Sequence, residues 1–394
     1  MLDLKSFVVD QELIIDKPHW YQLKNSYTQQ ELKDAISDAI DGLPLPLYPI
    51  TKEEAKEDFN ELVKFNARKL LNKDSLYAKA EYKYELSNWY MTNSLVGRKS
   101  SNYFHQFARW KTQHVKHPSP YRSWTEKKLH QTFLNPLWSM NFKEINSHVL
   151  RECITLRMYL ASQYPPAVAK CIYELFEAKN VLDFSMGWGD RLAGFHASKA
   201  ETYLGIDPNW EVMKNYPLQD DLYNTGKEAR FIHAVAEEID LGIWKRKFDM
   251  VFTSPPYFHV ERYCKDENQS WMRYGKNIDD WLEGFLYPTL NYSWEALEDG
   301  GTMIINIADV YSGDNQYVQI CDPMNDFISN LSDAHYSGCF GLKLSKRPQS
   351  NNDREESKYK KIIEPMWVWK KGDDRSLEQI IDDSSPLNKF FVGV

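Results

Sequence analysis

The chain has 394 residues, a formal net charge of -8 and 14% aromatic residues, with 13 Trp and 24 Tyr. That length allows two or three domains around a large core, and so many aromatics exclude a disordered chain. The acidic balance excludes a protein held on nucleic acid by bulk charge, yet it leaves room for a local basic groove.

The N-terminus, MLDLKSFVVDQELIID, lacks the basic start and apolar stretch of a signal peptide, and no run approaches the ~18 apolar residues that span a membrane. Five cysteines, Cys153, Cys171, Cys264, Cys321 and Cys339, include no CxxC pair and read as reduced packing thiols. A soluble chain of the cytoplasm, or of the host cytoplasm if viral, is expected, with no metal site and no membrane partner.

Residues 1–150 read as a mainly helical domain. Thr28 with Glu31, and Thr51 with Glu54, have the spacing of capping boxes, each followed by apolar residues at helical intervals. LPLPLYP (43–49) is a stiff connector, because proline fixes φ and removes a donor. Residues 98–130 then reverse the sign of the chain, with eight Lys/Arg against the single acid Glu126, four histidines, and Tyr103, Phe104, Phe107, Trp110, Tyr121 and Trp124 interleaved. Cations for phosphates and rings for bases would make this a nucleic-acid surface with Arg109 and Lys111 in contact; a solvated basic face with inward rings is the other reading.

From 151 to 375 the texture is α/β. Ala167–Ala178 reads as a helix; VLDF (181–184), YLGID (203–207), FIHAV (231–235), FDMVFTS (248–254) and GTMIINIAD (301–309) read as strands alternating with helices. That alternation means a mostly parallel sheet covered on both faces. GCFGLKL (338–344) and PMWVWKK (365–371) are expected as an antiparallel pair at one edge, and 376–394 as a tail.

Two strand ends carry chemistry. Asp183-Phe184-Ser185-Met186-Gly187-Trp188-Gly189 lies between a strand and a helix, where glycines let a ligand approach the backbone. It is neither GxGxxG nor a phosphate loop, and Met186 and Trp188 are bulky enough to narrow a pocket there. The next strand ends in Asp207, an acid suited to a pair of ribose hydroxyls, and Glu237 follows the third. Thr253-Ser254-Pro255-Pro256-Tyr257 ends the fourth. Paired prolines hold the backbone extended and donate nothing, so a Ser254 oxygen and the Pro255 carbonyl can accept both N–H groups of an exocyclic amine. Tyr257, with Phe258, offers a ring face to a base.

The strand–DxxxGxG turn, the acid ending the second strand and the SPPY tetrapeptide ending the fourth resemble the class I S-adenosylmethionine-dependent methyltransferases, specifically the N4-cytosine and N6-adenine DNA amino-methyltransferases. The resemblance covers roughly residues 160–371. It implies a Rossmann-like, mostly parallel sheet with an antiparallel edge. It implies S-adenosylmethionine as cofactor, held by Asp183, Phe184, Ser185, Gly187, Gly189, Asp207 and Glu237, with Pro165 of the Tyr164-Pro165-Pro166 segment. It also implies Ser254, Pro255, Pro256 and Tyr257 as the catalytic strand end. TSPPY favours cytosine N4 slightly over adenine N6. Glu261 and Arg262, just past the motif, are expected near the base, and 347–352 as a polar loop reaching the substrate. The large recognition domain of duplex-modifying enzymes has no counterpart after either motif. Recognition then falls to the N-terminal residues, to 258–285, to a second subunit or to a homodimer. A methyltransferase of RNA or nucleotides, or a non-catalytic subunit of the same fold that binds nucleic acid, are the alternatives. The intact Ser254, Tyr257 and Asp207 oppose the last.

Overall fold

The computed structural model describes residues 2–239, 241–264, 266–275, 277–313, 316–344 and 361–384. The 347–352 loop therefore lies outside the described residues. The chain divides into two compact units, which do not follow a cut at residue 150: residues 1–50, 106–162 and 261–264 form the first, and 51–105, 163–260 and 265–394 the second.

The first unit is helical. Helices Lys17–Ser26, Gln29–Ile40, Pro120–Thr125 and Ser147–Arg157 bury Trp20, Ile36, Trp110, Trp124, Phe133 and Ile154 in one core. The capping box predicted at Thr28 and Glu31 is present, as is the one at Thr51 and Glu54 in the second unit. Trp124 donates its indole N–H to the Leu43 carbonyl at 2.8 Å. Of the interleaved rings in 98–130, Trp110 and Trp124 are thus core residues, turned away from any base.

The second unit is built on one sheet. Its strands are β1 (Leu71–Lys73), β2 (Leu76–Tyr77), β3 (Trp89–Met91), β4 (Asn180–Asp183), β5 (Thr202–Ile206), β6 (Glu228–Ile232), β7 (Phe248–Thr253), β8 (Leu297–Asn306), β9 (Ala334–Lys343) and β10 (Lys361–Lys371). The order across the sheet is β1-β3-β9-β10-β8-β7-β4-β5-β6, with β2 beside β10. Strands β4 to β8 pair in parallel; β10 runs antiparallel to both β8 and β9. Read from β6 to β9, with β10 inserted between β8 and β9, this is the Rossmann-like sheet of the class I methyltransferases. The antiparallel pair β9 and β10 lies inside the sheet rather than at its edge, because β3 and β1 extend it beyond β9. The central parallel strands β4, β7 and β8 are buried on both faces: Val181, Leu182, Val251, Phe252, Met303, Ile304 and Ile305 are all fully buried. Continuous apolar runs of this kind are what a doubly covered sheet requires. The parallel direction also puts the ends of β4, β5, β6 and β7 on one edge, where open α/β sheets bind ligands.

Candidate active site

At the end of β4 the chain turns through 184–189 into the helix Asp190–Ala197. Gly187 (φ 60°) and Gly189 (φ 69°) are both left-handed, but for different reasons. A Cβ on Gly189 would come 2.1 Å from Gln219 Oε1, so packing demands its absence. A Cβ on Gly187 would meet nothing closer than the Ser185 carbonyl at 3.9 Å, so this glycine leaves bare backbone facing open space. The Tyr216 hydroxyl fixes the turn from one side by donating to the Gly187 carbonyl at 2.5 Å.

Asp183 is fully buried beneath the turn. Its carboxylate accepts from Arg191 (Nε 2.7 Å, Nη2 3.1 Å), the Tyr203 hydroxyl (2.7 Å), the Thr253 hydroxyl (2.8 Å) and the Ser185 N–H (3.3 Å). Arg191 also donates to the Ser185 carbonyl. Burial works against the guanidinium charge, but Asp183 beside it outweighs burial and holds its pKa above the ordinary range. Asp183 and Phe184 were both expected on the cofactor. The structure corrects this: the Asp183 oxygens are saturated from within, and Phe184 is 1% exposed in the core, so both support the turn from behind. Met186 is likewise directed inward, its sulfur resting where Gly205 lacks a Cβ. Arg191 and Gly205 belong to no motif; the only sequence trace of Arg191 is a cation at the second position of the helix that follows a buried acid.

Asp207, at the end of β5, accepts from the Gly187 N–H and the Asn209 N–H, each at 2.9 Å. Burial raises its pKa to about 6 against these two donors. A carboxylate so placed has lone pairs left for further donors, as a diol supplies. Glu237 follows β6 in a single 3-10 turn. It accepts from the Tyr274 hydroxyl at 2.8 Å, and burial raises its pKa. Pro165 is buried as the N-cap of the helix Pro166–Leu175, and the preceding Tyr164 packs edge-on to Phe252 of β7.

At the end of β7, Thr253 is tied to Asp183 and so joins the two strand ends directly. Ser254 donates to the Asn306 carbonyl of β8 at 3.0 Å. The Tyr257 hydroxyl lies 2.5 Å from Glu364 Oε1 of β10 and receives the Asn306 side-chain N–H at 2.9 Å. Pro255 is buried, whereas Ser254, Pro256 and Tyr257 are partly exposed. Phe258 was expected to stack on a base. It is instead 2% exposed, in a left-handed conformation (φ 55°), with its ring edge-on to Trp281. Its ring fills the core and presents no face to a substrate. Asn306 and Glu364 carry no motif signal; sheet order alone brings them to Ser254 and Tyr257.

Glu261 and Arg262 belong to the first unit, on a two-residue strand that pairs with 113–114. Glu261 is half-buried and accepts from the Tyr159 and Tyr263 hydroxyls; desolvation raises its pKa despite those donors. Arg109, in the same unit, is 9% exposed and donates to the Ala161 carbonyl from Nε (3.2 Å) and Nη2 (2.9 Å). A guanidinium held this way braces the chain rather than meeting a phosphate, which corrects the expectation for Arg109. Lys111 is partly exposed, its ammonium 4.5 Å from the Phe107 ring centroid. Among the described residues, no cluster of His, Cys, Asp and Glu is arranged to hold a metal, and no helix is long and apolar enough to cross a membrane.

No protein-family model matches the chain, and a search of curated proteins returns no match. Solved structures do match. An S-adenosylmethionine-dependent O-methyltransferase of Thermotoga maritima is 12% identical, covering 56% of this chain and 71% of its own, with a TM-score of 0.33. An rRNA methylase of Streptococcus thermophilus is 13% identical, covering 54% and 100%, with a TM-score of 0.32. A methyltransferase of Geobacter sulfurreducens is 12% identical, covering 57% and 85%, with a TM-score of 0.31.

Proposed function

We propose that the chain is an S-adenosylmethionine-dependent methyltransferase acting on an exocyclic amino group of a nucleobase in DNA, with cytosine N4 slightly ahead of adenine N6. One observation carries the reading. Ser254 gives its only hydrogen to the Asn306 carbonyl, so its oxygen meets a substrate as an acceptor, at the strand edge that also holds Gly187 and Asp207. An exocyclic amine has two N–H donors and a lone pair drawn into its ring. Acceptance by Ser254 Oγ and the Pro255 carbonyl orients the nitrogen and favours its rehybridisation, freeing that lone pair for attack. Tyr257 supplies the ring against which the base is held.

The residues fit the cofactor. Gly187 bares the backbone of the turn, and Asp207 retains acceptor capacity for two ribose hydroxyls. Glu237 is the acid for the adenine side, and Ser185 with Gly187 for the methionine side. S-adenosylmethionine, when bound, supplies an electrophilic methyl group on a sulfonium. Positioning and desolvation by the strand ends supply the rest, since attack by a neutral amine needs no general base beforehand. In duplex DNA the target base would first leave the stack.

The test is transfer of a labelled methyl group to duplex DNA, single-stranded DNA, RNA and free nucleotides, with mass spectrometry of the product base. N4-methylcytosine or N6-methyladenine is expected from DNA. Measurable cofactor binding with no transfer to any of the four would sink the reading.

A further inference from the structure

The hydroxyl of Tyr257 carries one hydrogen, the Ser254 side chain lies beside it, and its two nearest polar neighbours are of opposite kind. Glu364 Oε1 lies 2.5 Å away and Asn306 Nδ2 lies 2.9 Å away. An ionised carboxylate only accepts, and an amide N–H only donates. The hydroxyl hydrogen therefore goes to Glu364, with the Asn306 carbonyl a distant second acceptor at 3.5 Å, and the hydroxyl oxygen receives the amide. The Glu364 carboxylate fixes the amide's orientation as well. Were it turned over, Glu364 and Asn306 Oδ1 would compete for one hydrogen. Set this way, Asn306 Oδ1 is buried with no hydrogen-bond partner among the described residues. Ser254 has the same polarity, its hydrogen committed to the Asn306 carbonyl at 3.0 Å. Burial, and then the Glu364 carboxylate, hold the Tyr257 pKa well above its ordinary range, so the hydroxyl keeps its hydrogen.

We propose that Asn306 and Glu364 determine specificity at the methyl-acceptor site: by taking the hydrogens of Ser254 and Tyr257 they leave both hydroxyl oxygens as acceptors, beside the Pro255 carbonyl, so that this strand end admits a donor-bearing exocyclic amine and rejects an oxo group in the same place. The inference rests on the reading that the site takes a nucleobase amine. An oxo group would set lone pairs against lone pairs and leave buried acceptors unpaired, which discriminates far more strongly than a change of shape. Asn306 and Glu364 act through Ser254 and Tyr257, so they are positioning residues. Glu364→Gln keeps the shape but introduces a donor, and the Tyr257 hydrogen is then free to face the pocket.

The test uses the full chain with S-adenosylhomocysteine present. It measures binding of nucleosides and single-stranded oligonucleotides paired as amine and oxo: cytosine against uracil, adenine against hypoxanthine. The wild type is expected to prefer the amine at least about tenfold, and Glu364→Gln to shrink that ratio about fivefold with S-adenosylhomocysteine affinity unchanged. Tyr257→Phe keeps the ring and should shrink the ratio too; adding Glu364→Gln to it should change nothing further. The ¹³Cζ resonance of Tyr257 should move in Glu364→Gln. An unchanged ratio in folded Glu364→Gln, or in Tyr257→Phe should the former fail to fold, overturns the inference and leaves the amine reading standing. A wild type that binds S-adenosylhomocysteine but shows no amine preference overturns both.

Discussion

The ends of β4 and β7 are neighbours in one sheet, and both gather hydroxyls, a carboxylate and backbone carbonyls, yet they do opposite things with them. At β4 every acceptor of Asp183 is filled by Arg191, Tyr203, Thr253 and Ser185. At β7 the hydrogens are drawn back into the sheet, to Asn306 and Glu364, and acceptors remain on the outer side. The first end is a closed polar network that holds a turn still, and the second is an open one that can meet a ligand. A buried ion pair endures only where its remaining lone pairs and hydrogens are satisfied, as they are around Asp183.

The sharpest way to break this comparison is to open the closed network. Arg191→Met would leave Asp183 ionised, buried and without its cation, at a cost of about 3–5 kcal/mol in stability. Chemical denaturation at neutral pH measures it, and a loss below about 1 kcal/mol would mean that the network does not anchor the turn. Asp183→Asn combined with Arg191→Met should cost less than the sum of the two alone, because the charge left behind by one is removed by the other.

Next come substitutions at the positions proposed to face ligands. Asp207→Ala should weaken cofactor binding about 10- to 100-fold, the value of hydrogen bonds to a charged acceptor, and disturb turnover at saturating cofactor much less. Tyr257→Ala should leave cofactor affinity nearly intact and cut turnover about 100-fold by loosening the base. Calorimetry and single-turnover kinetics separate the two. Equal losses of cofactor affinity would merge the roles assigned to these two strand ends.

A pH-dependent effect of similar size follows from the acid of β5. Asp207 is raised from its ordinary 3.8 to about 6, so the folded chain binds its proton more tightly than the unfolded chain. Its contribution is then fully present below 3.8 and is lost as the pH rises through about 6. The wild type should lose about 3 kcal/mol across that window relative to Asp207→Asn. Parallel stability curves for the two proteins would show that Asp207 is better solvated than its burial implies.

These contrasts also mark what the sequence discloses. β4, β5, β7 and β8 are legible because their residues are buried on both faces and form continuous apolar runs. β6 is read three residues late: at the sheet edge its opening Glu228 and Arg230 form an ion pair at 2.6 Å and remain well exposed, so the apolar signal starts only at Phe231. β1 and β3 escape notice because short edge strands in LNKDSLYAKAEYKYELSNWYM carry no alternation. Glycine turn, acid and SPPY locate the site by their succession. Its polarity is illegible, since Asn306 and Glu364 reach Ser254 and Tyr257 only once β8 and β10 are laid beside β7. Spacing also cannot separate Asp183, whose acceptors are filled from within, from Asp207, which accepts only two internal donors; burial and the count of those donors do.

The smallest expected effect tests the same distinction among the cations of the first unit. Arg109 and Lys111 sit two residues apart in a basic run, yet the Arg109 guanidinium is turned to the Ala161 carbonyl while Lys111 remains partly exposed. Counterion release counts only cations that meet phosphates. If this unit contacts nucleic acid, Lys111→Ala and Lys116→Ala should each lower the slope of log affinity against log salt by about 1, equally for all sequences. Arg109→Ala should leave the slope alone and lower the melting temperature instead, because a carbonyl loses its donors and Glu261 a neighbouring cation. A slope that responds to Arg109 and not to Lys111 would reverse the assignment, making the buried guanidinium the contact and the exposed ammonium mere surface.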